Sequence, residues 1–174
     1  LDEYCMHRRV SLALGRVEEL LYWVSRLEDE HRIPVLPVYV DSPMAASVLQ
    51  TYRGRVDELD PEIAASKADD SRLRADRKVC AFCTQKLKVI ATIPDSRALQ
   101  ESREPAIVIS SSGMATGGRV LHHLERALPD ARNTVLFAGY QAAGTRGRLL
   151  LEGAHTTVIH GQQVSVAAKI ENID

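Results

Sequence analysis

Three stretches of the sequence combine small residues with groups able to hold an anion. They are Asp41-Ser42-Pro43, the run from Ser110 to Arg119 (S-S-S-G-M-A-T-G-G-R) and the run from Gly139 to Arg148 (G-Y-Q-A-A-G-T-R-G-R). Each follows a run of strand character and precedes one of helical character. The second gives the strongest signal. Its small side chains let backbone approach a ligand closely, and the helix that follows offers unpaired N–H groups and the positive end of its dipole, so phosphate or carboxylate is the expected guest. Arg119, Arg146 and Arg148 add forked, charged donors. The same glycines also fit tight structural turns that need positive φ and close helix packing. Neither G-x-G-x-x-G nor G-x-x-x-x-G-K-[ST] occurs, which disfavours dinucleotide and P-loop chemistry.

Other reactive side chains are scattered. Cys80-x-x-Cys83 lacks the second pair that a four-ligand zinc site requires, and Cys5 does not supply it, so three reduced thiols are expected. His122 and His123 fall on a predicted helix, where neighbours point about a third of a turn apart and do not share a metal. His155 and His160 flank a strand and read as isolated. No Ser/His/Asp or Cys/His arrangement stands out. The sequence therefore assigns no catalytic residue and no metal ligand.

These loops need a scaffold. Apolar residues from Leu12 to Leu27 recur at helical spacing (Leu14, Val17, Leu20, Leu21, Val24, Leu27) and predict an amphipathic helix. Val35 to Val40 reads as a strand interrupted by Pro37. Ser42 as N-cap and Pro43 at the first helical position start a helix that Gly54 ends. The path from Arg55 to Lys78 is the least defined, with Asp60-Pro61 a further helix start. Strands follow at Leu87 to Thr92, Ala106 to Ser110 and Asn133 to Ala138, with helices at Asp95 to Gln100 and Gly118 to Leu128. A hairpin is expected over Thr156 to Ile170, turning at His160-Gly161-Gln162. Alternating strands and helices predict an α/β fold: a Rossmann-like, mostly parallel sheet flanked by helices, with a C-terminal β-hairpin. The three loops would then share one rim, where open α/β sheets bind ligands.

At 174 residues, 45% of them hydrophobic and 26% charged, one globular domain is expected, burying about two-thirds of its unfolded surface. The net charge of −1 excludes a generally basic nucleic-acid binder, so any such contact must be local. No apolar run is long enough for a membrane span. Leu1 to Arg9 does not read as a signal peptide, and a cytoplasmic setting is expected.

Three concerted motifs closely resemble the β-CASP domain of metallo-β-lactamase-fold RNA hydrolases, of the RNA-processing endonuclease and cleavage and polyadenylation nuclease kind. They are Val38-Tyr39-Val40-Asp41-Ser42-Pro43-Met44-Ala45, Ser112-Gly113-Met114 to Gly117-Gly118-Arg119 with Val120-Leu121-His122-His123-Leu124, and Asn133 through Gly139-Tyr140-Gln141 to Gly144-Thr145-Arg146-Gly147. Leu14 to Leu21 shares the likeness, which covers most of the chain from residue 12. Leu1 to Ser11 departs from the strand that precedes the first helix in that family, and its loss would leave a sheet edge unpaired. The chain is thus divided into an atypical segment, 1–11, and a β-CASP domain fragment, 12–174.

The resemblance implies a domain inserted into a metallo-β-lactamase fold, forming one wall of a cleft that leads single-stranded RNA to a two-zinc centre. It implies RNA or phosphate contacts from Asp41, Ser42, Ser111, Ser112, Gly113, Met114, Gly117, Gly118, Arg119, Tyr140, Gln141, Gly144, Thr145 and Arg146. The family's H-x-H-x-D-H box does not occur here, and the sequence stops at Lys169 to Asp174, where an S-A-H-A-D segment usually follows. The two zinc ions are therefore expected in the parent protein, and this chain is expected to grip RNA without cleaving it. A small-molecule nucleotide-binding module on the same rim, and a structural or interaction domain that pairs into a homodimer through surface that a host would cover, are the competing readings.

Overall fold

Ala106–Ser110 and Thr134–Ala138 are nearly continuous apolar runs whose residues are mostly buried on both faces, the pattern of strands covered by helices on either side. The computed structural model describes residues 10–14, 16–52 and 84–173. Cys5, Cys80, Cys83, Gly54 and the Asp60-Pro61 helix start lie outside them.

The elements in chain order are β1 (Val10–Leu14), α1 (Val17–Asp29), β2 (Val38–Val40), α2 (Pro43–Tyr52), β3 (Leu87–Val89), α3 (Ile93–Glu101), β4 (Ala106–Ser110), α4 (Arg119–Ala127), β5 (Thr134–Ala138), α5 (Arg146–Leu151), β6 (Thr156–Ile159), β7 (Gln162–Ser165) and β8 (Lys169–Ile173). Six strands form a sheet in the order β3-β2-β4-β1-β5-β8, and every pairing in it is parallel. The expected α/β architecture is present. Its strand order differs from that of a dinucleotide-binding sheet because β4 lies between β2 and β1.

Successive residues of a strand point to opposite faces, and this sheet uses both. Val108, Val135 and Phe137 pack with Val120, Leu124, Leu128, Leu150 and Ile159 on one face. Ile109 and Ala138 pack with Val17, Leu20, Leu21, Val38, Val40, Ala45 and Leu49 on the other. Each fully buried Leu, Ile or Phe contributes about 1.5–3 kcal/mol, so two such layers fix the sheet between α1 and α2 on one side and α4 and α5 on the other. The hairpin forms at β6 and β7, which pair antiparallel. His160 (φ 50) and Gly161 (φ 77) occupy its tip, the two positive φ values that a type I′ turn demands.

One expectation is corrected. The predicted helix from Leu12 begins only at Val17, and Val10–Leu14 is a strand. Leu12 and Leu14 fit a period of two as well as they continue the helical spacing of Val17. This strand lies inside the sheet, between β4 and β5, so it is not an edge, and a division between residues 11 and 12 cuts through it.

Candidate functional site

Because the six strands run in parallel, their carboxyl ends form one rim, and the three motif loops meet on it. Asp41 follows β2, Ser111 follows β4 and Gly139 follows β5. The centre of this rim is the carboxylate of Asp41, which has no exposed surface. Its Oδ1 accepts from Arg119 Nη1 at 2.7 Å. Its Oδ2 accepts from Ser96 Oγ at 2.5 Å and from His123 Nε2 at 2.6 Å. The backbone is satisfied as well: Asp41 N–H donates to Ile109 O at 2.8 Å, and Ser110 Oγ donates to Asp41 O at 3.0 Å. An isolated buried carboxylate costs several kcal/mol. Three hydrogen bonds at about 1.5–3 kcal/mol each are of the same size, so the cluster specifies geometry more than it adds stability. Burial alone would raise the Asp41 carboxyl, but the hydrogen bonds from His123, Ser96 and Arg119 outweigh it and hold the group below its ordinary value.

Local sequence explains each position. Ser42 caps α2 by accepting from Ala45 N–H at 3.1 Å, with Pro43 at the first helical position, and its hydroxyl donates to Ser111 Oγ at 2.7 Å. Arg119 and His123 stand four residues apart on α4 and so share a face, which brings both onto Asp41. Arg119 also donates to Ile90 O at 3.2 Å and to Ala91 O at 3.1 Å, clamping the loop after β3. On the other side, Gln141 Nε2 donates to Gly113 O at 2.9 Å and Gly139 O at 3.2 Å, and Gly147 N–H donates to Met114 O at 3.1 Å. Gly147 must lack a side chain, since a Cβ there would overlap the Gln141 amide and lie 3.1 Å from Phe137 Cε1. Arg146 donates to Ala115 O and, at 2.7 Å, to Val158 O. At the far end, Ile173 O accepts from Gly139 N–H at 2.8 Å and from Arg16 Nη2 at 3.2 Å. The ends of all six strands are thus tied through loop contacts.

This arrangement revises the roles expected of several residues. Asp41, Ser42 and Gln141 are buried and bind other loops, which positions the rim. The guanidinium groups of Arg119 and Arg146 likewise donate to protein acceptors. Ser112 (φ 75) folds its own loop, its Oγ accepting from Thr116 N–H at 3.2 Å and Gly117 N–H at 3.4 Å. Thr145 caps α5. No side chain caps α4 at Gly118 (φ 79); in its first turn Leu121 N–H turns back to Gly118 O at 3.2 Å and Val120 is buried, which leaves the exposed start of the helix at Gly118 and Arg119, and Tyr140 is 75% exposed. Met44, absent from the expected set, is 73% exposed at the start of α2.

Sequence reasoning missed Ser96 and His123. The signal for His123 was its spacing from Arg119; Ser96 carried none. His160 also departs from expectation, with its ring 4.4 Å from that of His122 and its Nδ1 3.2 Å from Glu125 Oε2. A cavity of about 730 Å³ opens at the amino ends of β4 and β5, lined by Leu99, Glu104, Arg126, Asp130 and Asn133 and reaching inward to His123.

Asp41→Asn leaves one acceptor oxygen for donors that now use two, and a loss of about 3–5 kcal/mol is expected in urea denaturation near neutral pH. The folded-state pKa of Asp41 is depressed, so its contribution is complete above the ordinary aspartate range and disappears as pH falls through the lower, folded value. The variant should therefore lose less stability than the parent on acidification; an equal acid loss in both would exclude Asp41 as its source.

A family model for the Beta-Casp domain matches residues 17–150. Ribonuclease TTHA0252 of Thermus thermophilus is 32% identical over 94% of this chain and 36% of its own length. Transcription termination factor FttA of Pyrococcus abyssi is 27% identical over 94% of this chain and 25% of its own length. An RNase J-like protein of Methanocaldococcus jannaschii is 28% identical over 93% and 34%. The chain spans about a quarter to a third of these relatives. With the model match covering most of the sheet and all three rim loops, the chain belongs to the Beta-Casp domain family.

Proposed function

We propose that this chain is the RNA-facing domain of a metallo-β-lactamase-fold RNA hydrolase, with a single strand of RNA lying along the rim. The observation that carries the reading is the uncapped amino end of α4 at Gly118, set among loops fixed by the Asp41 cluster, with Tyr140 exposed on the adjoining loop. Amides of the first turn of α4 hold a phosphate oxygen, and Tyr140 stacks on a base. Arg119 supports this surface by clamping the loops beneath it.

The relatives named as ribonucleases support the substrate class. The residues here do not fit a pair of zinc ions, because the H-x-H-x-D-H box does not occur in the sequence; in this reading the metallo-β-lactamase domain of the parent supplies those ligands and the cleavage chemistry. None of the described helices is long and apolar enough to cross a membrane, and the reading places the parent in the cytoplasm.

Base stacking contributes about 1–3 kcal/mol, so Tyr140→Ala should weaken binding of a fluorescent single-stranded RNA by about tenfold in an anisotropy titration. The salt slope should not change, since no charge is removed. Unaltered affinity would remove Tyr140 from the interface. The purified chain incubated with RNA and zinc should leave the RNA intact on a denaturing gel, and zinc-dependent cleavage would contradict the division of labour proposed.

A further inference from the structure

Away from the Asp41 cluster, three side chains of metal-binding type converge on the outer flank of α4. His122 and Glu125 are three residues apart and so lie on one helix face, and the β6–β7 turn carries His160 onto them. One ligand atom from each lies within 4.8 Å of the others, and theirs is the cluster of this kind among the described residues. His160 Nδ1 is 3.2 Å from Glu125 Oε2, and the His122 and His160 rings are 4.4 Å apart and tilted by 31°.

A tetrahedral zinc ion with bonds of about 2.0–2.1 Å places its ligand atoms roughly 3.3 Å apart. The His160–Glu125 edge already has that length. The other edges close through small rotations of side chains that are about a third or more exposed at His160 and Glu125 and exposed at His122. The backbone beneath is fixed: Ile159 packs in one core with Val120 and Leu124, and Arg146 anchors Val158 O. Two imidazoles and one carboxylate suit a borderline ion such as zinc, whereas calcium and magnesium prefer oxygen throughout.

We propose that His122, Glu125 and His160 form a zinc site that clips the hairpin tip to α4 and leaves a fourth position for water. The proposal does not depend on RNA binding. Its stabilising effect follows from binding the folded chain in preference to the unfolded one.

Cobalt(II) titrated into the full chain provides the test, because its spectrum separates these ligands from the thiolates of Cys80-x-x-Cys83. One equivalent should bind with visible d–d bands and no thiolate charge-transfer band, zinc should displace it, and zinc alone should raise the melting temperature. His160→Asn removes the imidazole but keeps a residue suited to the turn, since Asn-Gly favours type I′. Glu125→Gln preserves shape. Each should weaken metal binding at least tenfold, and the metal-free melting temperature of His160→Asn should not fall. Absence of stoichiometric binding, binding with thiolate bands alone, or undiminished affinity in both variants would overturn the site.

Discussion

A single buried carboxylate organises the rim of this domain. Asp41 leaves the sheet at the end of β2, and its two oxygens gather a hydroxyl from α3 and an imidazole and a guanidinium from α4. Removing a carboxylate from water is affordable only with such partners, so losing any one of them is costly. That constraint fixes where α4 starts. Its amino end at Gly118 is placed by Arg119, which is held to Asp41 and to the carbonyls of Ile90 and Ala91.

The same economy recurs around the rim. Gln141, Arg146 and Gly147 join the loop after β5 to the loop after β4, and Arg16 reaches the end of β8. Much of the cationic and polar side-chain chemistry is consumed internally. What the rim leaves exposed includes the ring of Tyr140 and the side chain of Met44.

Sequence made the loops legible because their composition is local information. Ser42 and Pro43 marked the start of α2, and His160-Gly161 marked the hairpin turn. The small-residue run after Ser110 placed the start of α4. Direction was not legible. The acceptors that hold the guanidinium groups of Arg119 and Arg146 lie 12 to 78 residues away, which no local pattern reveals. Ser96 joined Asp41 by the same long-range folding. Tyr140, among the contacts the resemblance implied, is exposed. In β1, Leu12 and Leu14 satisfied two periods at once, and sheet pairing with β4 and β5 decided between them.

The most direct test of Asp41 as organiser is amide hydrogen exchange, mapped by mass spectrometry, in the parent and in Asp41→Asn. If the cluster ties the loops into one unit, exchange should accelerate together across residues 90–96 and 110–123 while the β6–β7 hairpin stays unchanged. Acceleration confined to residues immediately around position 41 would show that the loops hold their places independently, and would contradict the account.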